Sequence, residues 1–141
     1  MEPRHHSIAE LTELLRQQDI SPTSQRLEIA RVLFAHGDHV SADTLFERVN
    51  AGESFTGSVS KATVYNTLGL FADKGLVRQV IADPNRVFYD PNTAPHYHIY
   101  DTDTHSLIDV DESEMKISGL PSLPDGTRLE GVDIIVRVSR Q

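Results

Sequence analysis

Apolar residues recur three and four positions apart in four stretches of the first 75 residues, a spacing that places them on one face of an α-helix. The pattern predicts a first helix over about residues 7–18, a second capped by Thr23, a third capped by Ser41, and a fourth, KATVYNTLGLFADK, capped by Ser60. AGESFTGS, between the third and fourth helices, has the composition of a loop. Gly75 follows the fourth helix, where a left-handed residue commonly ends a helix. The first part of the chain is therefore predicted to be helical.

After Gly75 the pattern changes to that of β-strands. LVRQVIA and RVFYD are short apolar runs on either side of a DPN turn, which predicts a hairpin. Three helices, a further helix and a hairpin are typical of a winged helix-turn-helix. We expect a DNA-binding domain of this kind over residues 1–90, with the fourth helix in the major groove and the hairpin as the wing.

Residues 91–141 predict a second, smaller domain that begins with a hinge over 91–95. HIYD and SLIDV read as short strands, ESEMKIS as a short helix, and VDIIVRV as a strand with alternating apolar residues. A three-stranded sheet with one apolar face is poorly buried alone, so pairing with a second copy is expected. The predicted fold class is α+β, a winged-helix DNA-binding domain followed by a small α/β dimerisation domain.

Composition narrows the chemistry. The 141 residues include no Cys, which excludes disulfides and cysteine-based zinc sites. No apolar run has the length of a membrane span and no signal-peptide pattern is present, so we expect a cytoplasmic protein without a membrane partner. The net charge of −8 argues against nucleic-acid binding, but most of the acidic excess lies beyond residue 90.

A candidate metal site centres on the HYH sequence. On a strand, His96 and His98 point to the same side, and Asp90 and Asp109 flank them in the chain. Imidazole nitrogens with carboxylate oxygens suit Fe, Mn or Zn. The alternative is a strand that simply carries two polar histidines.

Polar residues near the start of the fourth helix are candidates for DNA contacts, the alternative being a solvated helix face. The predicted DNA-binding residues are Arg26, Ser60, Lys61, Thr63, Tyr65, Asn66, Arg78 and Arg86.

Several segments together resemble the ferric uptake regulator (Fur) superfamily: TSQRLEIARVL, DHVSADTLFERV, SVSKATVYNTLGLFADKGLVRQV and HYHIYD…LIDVD. The resemblance is collinear and covers almost the whole chain. HYH with its upstream Asp resembles the peroxide-sensing subgroup (PerR). The absence of Cys, the THSLIDV segment and VDIIVRV resemble the iron response regulators (Irr).

The resemblance implies a regulatory metal site, one per subunit, that takes Fe(II) or Mn(II), with Zn(II) possible in vitro. The implied ligands are His39, Asp90, His96, His98 and Asp109. In peroxide-sensing members a ligand histidine is oxidised, and the matching positions here are His39 and His96. The implied partners are a second subunit and double-stranded DNA with an AT-rich inverted repeat.

The chain also departs from the superfamily pattern. Asp101 and Thr104 stand where the first Cys pair of a structural zinc site would be, so no such zinc is expected. Irr-like proteins can respond to haem, but there is no Cys-Pro motif here, and haem would have to use His96 or His98. We rank haem sensing below metal sensing.

The sequence is also compatible with two hypotheses of other classes. A small non-haem iron enzyme could use histidines with a carboxylate, although five protein ligands leave little room for substrate and dioxygen. A metal-buffering module with a degenerate DNA-binding half would explain the acidic charge. Whether the metal-bound form represses or releases DNA stays open.

Overall fold

A computed structural model describes residues 5–52 and 57–141. The chain divides into two compact units, Met1–Thr93 and Ala94–Gln141. No helix in these described ranges is long and apolar enough to cross a bilayer.

The first unit contains four helices and a hairpin, in the predicted order. These are α1 (Ile8–Gln17), α2 (Ser24–His36), α3 (Ala42–Ala51), α4 (Lys61–Asp73), β1 (Arg78–Asp83) and β2 (Arg86–Asp90). The predicted caps are confirmed, because the side chains of Thr23, Ser41 and Ser60 accept hydrogen bonds from backbone N–H groups of α2, α3 and α4. Gly75 has a φ of 77°, the left-handed conformation expected of it.

One predicted boundary is wrong. The AGESFTGS segment was expected to be a loop throughout, but Ala51 is the last residue of α3 and Gly52 follows as its C-terminal cap. Residues 53–56 of that segment lie outside the described residues.

The core of the first unit forms where the apolar faces of the four helices meet. Its fully buried side chains include Leu11, Leu15, Ile29, Leu33, Leu45, Val64, Leu68 and Phe71. Glu28 is also buried, and Arg31 donates to its two carboxylate oxygens at 3.1 and 2.6 Å. The pairing satisfies a carboxylate that would otherwise be costly to bury.

The second unit is a three-stranded sheet. Its strands are β3 (His96–Asp101), β4 (Leu107–Asp111) and β5 (Ile135–Val138). The order is β4–β3–β5, with β3 antiparallel to β4 and parallel to β5. The prediction of a helix in ESEMKIS is wrong beyond one 3₁₀ turn at Glu112–Glu114. So short a segment gains too few helical hydrogen bonds to offset the cost of the first turn.

Hydrogen bonds hold the end of β5 against the turn between β3 and β4. Asp101 accepts backbone hydrogen bonds from Asp103 and Thr104 at 2.9 and 3.1 Å, and Arg140 donates to its other oxygen at 2.5 Å. The Thr104 N–H in particular, with the Arg140 guanidinium, outweighs burial and lowers the pKa of Asp101. A carboxylate and a guanidinium thus organise this turn.

Candidate metal ligands and nucleic-acid interface

Three of the predicted metal ligands come together on one face of the second unit. His98 is directly opposite Asp109 in the β3–β4 register. Nε2 of His96 and Nε2 of His98 each lie 3.4 Å from the same Oδ1 of Asp109. The strand period of two explains the arrangement, since His96 and His98 project to the same side of β3 and flank the Asp109 carboxylate.

The surroundings of the two imidazoles favour metal binding. His96 and His98 are 5% and 1% exposed, and their ring centroids are 4.6 Å apart. Nδ1 of His96 lies 2.7 Å from the carbonyl oxygen of Ala94. Because a carbonyl only accepts, Nδ1 must carry the hydrogen, which in the neutral ring leaves the lone pair on Nε2. His96 is therefore oriented with its unprotonated Nε2 toward Asp109.

The other two predicted ligands are neighbours within the first unit. Val40 and Tyr89 form an isolated antiparallel bridge, with N–O distances of 3.0 and 2.7 Å. In an antiparallel bridge the residue before one partner faces the residue after the other, so His39 and Asp90 lie side by side. A ligand atom of His39 and one of Asp90 are within 4.8 Å of each other. Asp90 is 1% exposed and accepts a hydrogen bond from the Asn92 N–H at 2.9 Å.

A salt bridge orders the loop that carries His39. Arg48 of α3 donates to both carboxylate oxygens of Asp38 at 2.9 and 3.0 Å. Burial alone would raise the pKa of Asp38, but the hydrogen bond and charge of Arg48 outweigh it and lower the pKa. Neither residue was among the predicted site residues, because nothing local in the sequence pairs them.

The remaining histidines have other neighbours. His36 is the last residue of α2. His105 has a φ of 61°, and its Nδ1 lies 3.1 Å from the Tyr100 hydroxyl. The His6 ring contacts Phe34 edge-on.

The predicted DNA-binding residues of α4 lie on its exposed N-terminal half. Ser60 caps the helix and its hydroxyl is 2.8 Å from that of Thr63. Tyr65 is 45% exposed, and Asn66 is exposed as well. Thr67, also polar in sequence, is buried in the core.

The remaining basic candidates lie outside α4. Arg78 begins β1 and Arg86 begins β2, at opposite ends of the hairpin. Arg26, in the first turn of α2, donates to the carbonyl of Ser21 at 2.9 Å. Arg86 is exposed, and Arg78 is partly buried.

Asp43 on α3 contacts two of the α4 candidates. Its Oδ1 accepts from the Tyr65 hydroxyl at 2.9 Å and lies 3.0 Å from Lys61 Nζ. Lys61, above all, and then Tyr65 lower the pKa of Asp43 by hydrogen bonding, while Asp43 raises the pKa of both partners. Sequence reasoning missed Asp43, since only the packing of α3 on α4 brings it close to them.

The fold is that of a winged-helix protein, and two groups of histidines and aspartates are candidate ligands for a divalent metal ion. The model of the ferric uptake regulator family matches residues 17–120. A peroxide-responsive repressor, PerR, from Staphylococcus aureus strain Mu50 is 31% identical over 109 residues, which cover 77% of this chain and 72% of that protein. The chain belongs to the ferric uptake regulator family.

Solved structures show the same fold. The ferric uptake regulator from Pseudomonas aeruginosa, solved with manganese, aligns with a TM-score of 0.70 at 22% identity, over 92% of this chain and 97% of that one. The regulator from Francisella tularensis, solved with iron, aligns with a TM-score of 0.66 at 20% identity, over 86% and 92%. Both belong to the family that the sequence resembles.

Family membership decides among the three classes of function. Members are metal-dependent transcription regulators, so the regulator hypothesis is confirmed at that level. The expectation that the chain is not an enzyme is confirmed on the same ground.

Proposed function

We propose that this chain is a homodimeric transcription regulator of iron homeostasis or peroxide defence. Its affinity for DNA depends on one Fe(II) or Mn(II) per subunit, held by His39, Asp90, His96, His98 and Asp109. The observation that carries the proposal is the convergence of His96, His98 and Asp109, with both Nε2 atoms 3.4 Å from one carboxylate oxygen. The separate pairing of His39 with Asp90 supports the same donor set.

The donor set fits a borderline divalent ion. Three imidazoles and two carboxylates accept Fe(II), Mn(II) or Zn(II) with little intrinsic discrimination. Bound Fe(II) would supply redox chemistry with peroxide, which Mn(II) and Zn(II) would not. The similarity to a peroxide-responsive repressor favours Fe(II) as one native ion.

The proposed site joins the two units of the chain. His39 and Asp90 come from the first unit, whereas His96, His98 and Asp109 come from the second. Five residues separate Asp90 from His96, so a linker of at most about 20 Å tethers the two groups. An ion that binds both groups stabilises one orientation of the units at the expense of others, by its differential affinity for that orientation.

We propose that this orientation places the recognition helices of two subunits so that both can bind an AT-rich inverted repeat. In each subunit α4 enters a major groove, where Lys61, Thr63, Tyr65 and Asn66 meet bases and phosphates. Arg26, Ser60, Arg78 and Arg86 add contacts to the DNA backbone. A regulator that binds the genome in this way acts in the cytoplasm.

The second unit supplies the proposed dimer contact. Opposite the histidine face of the sheet, Ile99 is flanked in register by Ile108 on β4 and Val136 on β5. Ile108 and Val136 are 52% and 40% exposed, and Val138 is 38% exposed. We call this row of apolar side chains, Ile99, Ile108, Val136 and Val138, the apolar sheet face. Contact with the same face of a second subunit would cover it.

Equilibrium dialysis with Mn(II) tests the shared site. We expect one Mn(II) per subunit and a large loss of affinity in both His39→Ala and His98→Ala, because each removes a ligand of the same ion. Fluorescence anisotropy should then show metal-dependent binding to an AT-rich inverted repeat that both variants lose. Full Mn(II) affinity in His39→Ala would contradict a site that draws on both units.

A further inference from the structure

The Asp43 carboxylate lies within the surface that is proposed to bind DNA phosphates. Lys61 and Tyr65 are one helical turn apart on α4, and both contact the same oxygen of Asp43, at 3.0 and 2.9 Å. Asp43 lies in the first turn of α3, and its side chain is 62% exposed. A negative charge thus stands beside the lysine that is proposed to bind DNA.

The geometry has two physical consequences. A phosphate that binds Lys61 must approach Asp43, and the two anions repel each other. The hydrogen bond from Tyr65, in contrast, does not need the carboxylate charge, since any acceptor oxygen at this position would hold the phenol. Asp43 therefore opposes contacts to phosphate while it orients a side chain that can reach a base edge.

We propose that Asp43 is a specificity-determining residue of the DNA interface. Its carboxylate holds Tyr65 in place and pairs with Lys61 where a DNA phosphate would otherwise bind. This inference rests on the proposed function of α4. Binding to DNA of arbitrary sequence, which depends on phosphate contacts, is weakened by Asp43. Binding to the cognate repeat is weakened less, because correctly oriented Tyr65 contributes there.

Asp43→Asn separates charge from hydrogen bonding, because Asn keeps an acceptor oxygen for the Tyr65 hydroxyl. The variant should bind a mixed-sequence duplex about 1.4- to fivefold more tightly, the range that corresponds to an exposed ion pair. The slope of log affinity against log salt concentration should be steeper by up to about 0.9. Lys61 no longer has to break an ion pair within the protein before it binds a phosphate. The ratio of cognate to mixed-sequence affinity should stay near that of wild type in Asp43→Asn and fall in Asp43→Ala, because only the alanine variant loses the acceptor that holds Tyr65.

Asp73→Asn is the matched control. It makes the same change in net charge at the C-terminal end of α4, about 18 Å along the helix from Lys61 and beyond the screening length at physiological salt. It should leave the salt slope unchanged. Asp43→Ala should lower the cognate affinity below that of Asp43→Asn, because it also releases Tyr65.

A double-mutant cycle with Lys61→Ala completes the test, using the Mn(II)-loaded full chain, a mixed-sequence duplex and an AT-rich repeat selected from a random pool. The effect of Asp43→Asn should disappear when Lys61 is Ala. An equal effect in both backgrounds, or the same effect in Asp73→Asn, would overturn the role of Asp43 while leaving the interface intact. Unchanged DNA binding in Lys61→Ala itself would refute the interface and this inference together.

Discussion

At the residue scale, strand register places two carboxylates, Asp109 and Asp111, opposite His98 and His96, and side-chain hydrogen bonding decides which of them meets the histidines. The spacing of His96 and His98 is sufficient to predict that they share a face of a strand. That Asp109 meets both depends on pairing with β4, which places it opposite His98 and diagonal to His96. The next acidic residue on β4, Asp111, instead accepts a hydrogen bond from the backbone N–H of Ser113 at 2.9 Å.

Asp109 and Asp111 therefore give a matched pair of variants. Asp109→Asn should weaken Mn(II) binding by about 100-fold or more, since loss of an outer-shell partner alone costs about 10- to 100-fold. Asp111→Asn, with the same change in charge, should bind Mn(II) nearly as wild type. Titration calorimetry measures both, and equal losses would show that only the local negative charge matters.

Peroxide treatment tests the chemistry of the same residues. With Fe(II) bound, we expect one added oxygen on peptides that contain His39 or His96, because these positions match the histidines oxidised in peroxide-sensing members and bound Fe(II) would supply the redox chemistry with peroxide. Protein loaded with Mn(II) should be spared, and peptide mass spectrometry distinguishes the two. Equal oxidation of His5 and His6, near the N-terminus, would argue against a reaction directed by the site.

At the element scale, the Asp38–Arg48 pair links the His39 loop to α3. Asp38→Asn should lower the free energy of unfolding at pH 7 by about 0.2–1 kcal/mol, the range for exposed ion pairs. The folded state lowers the pKa of Asp38 below its ordinary 3.8, so the pair stabilises fully above that pH. Its contribution is lost as the pH falls through the lower folded value.

Urea unfolding at successive pH values from neutral to acid checks this expectation. The difference in the free energy of unfolding between wild type and Asp38→Asn should shrink as the pH falls through the pKa of Asp38 in the folded state. The exposed Asp73→Asn variant should differ little from wild type throughout. A difference for Asp38→Asn that persists unchanged in acid would mean that the ion pair does not stabilise the loop.

Secondary-structure elements with strong local signals were predictable, and those set by packing were not. The caps of α2, α3 and α4 follow from Thr23, Ser41 and Ser60, whose side chains satisfy N–H groups of the first helical turn. The VDIIVRV segment was expected to be a strand of seven residues, but β5 is limited to the four that pair with β3. Likewise, no local pattern indicates the Val40–Tyr89 bridge, which brings His39 to Asp90.

At the scale of the whole molecule, the sheet of the second unit has two different faces. One carries the histidines and Asp109, and the other is the apolar sheet face, three of whose members are exposed in the single chain. This division follows from strand alternation, and it lets one small sheet serve both the proposed metal site and the proposed dimer contact.

Val136→Glu tests the dimer contact. Burial of a valine side chain contributes about 1.5–3 kcal/mol, so we expect the dimer to dissociate with a Kd at least about tenfold higher. Ser118→Glu, which adds the same charge at an exposed position off the sheet, should leave the Kd unchanged. Sedimentation equilibrium measures both, and an unaltered dimer in Val136→Glu would place the contact elsewhere.

We propose that metal and DNA affinities are coupled through the orientation of the two units. Coupling of this kind is reciprocal, so the factor by which Mn(II) tightens DNA binding must equal the factor by which DNA tightens Mn(II) binding. The most direct measurement determines all four affinities with one AT-rich repeat, for wild type and His98→Ala. We predict equal factors well above one in wild type and factors near one in the variant. DNA affinity that is the same with Mn(II) and with chelator would show that metal and DNA binding are not coupled.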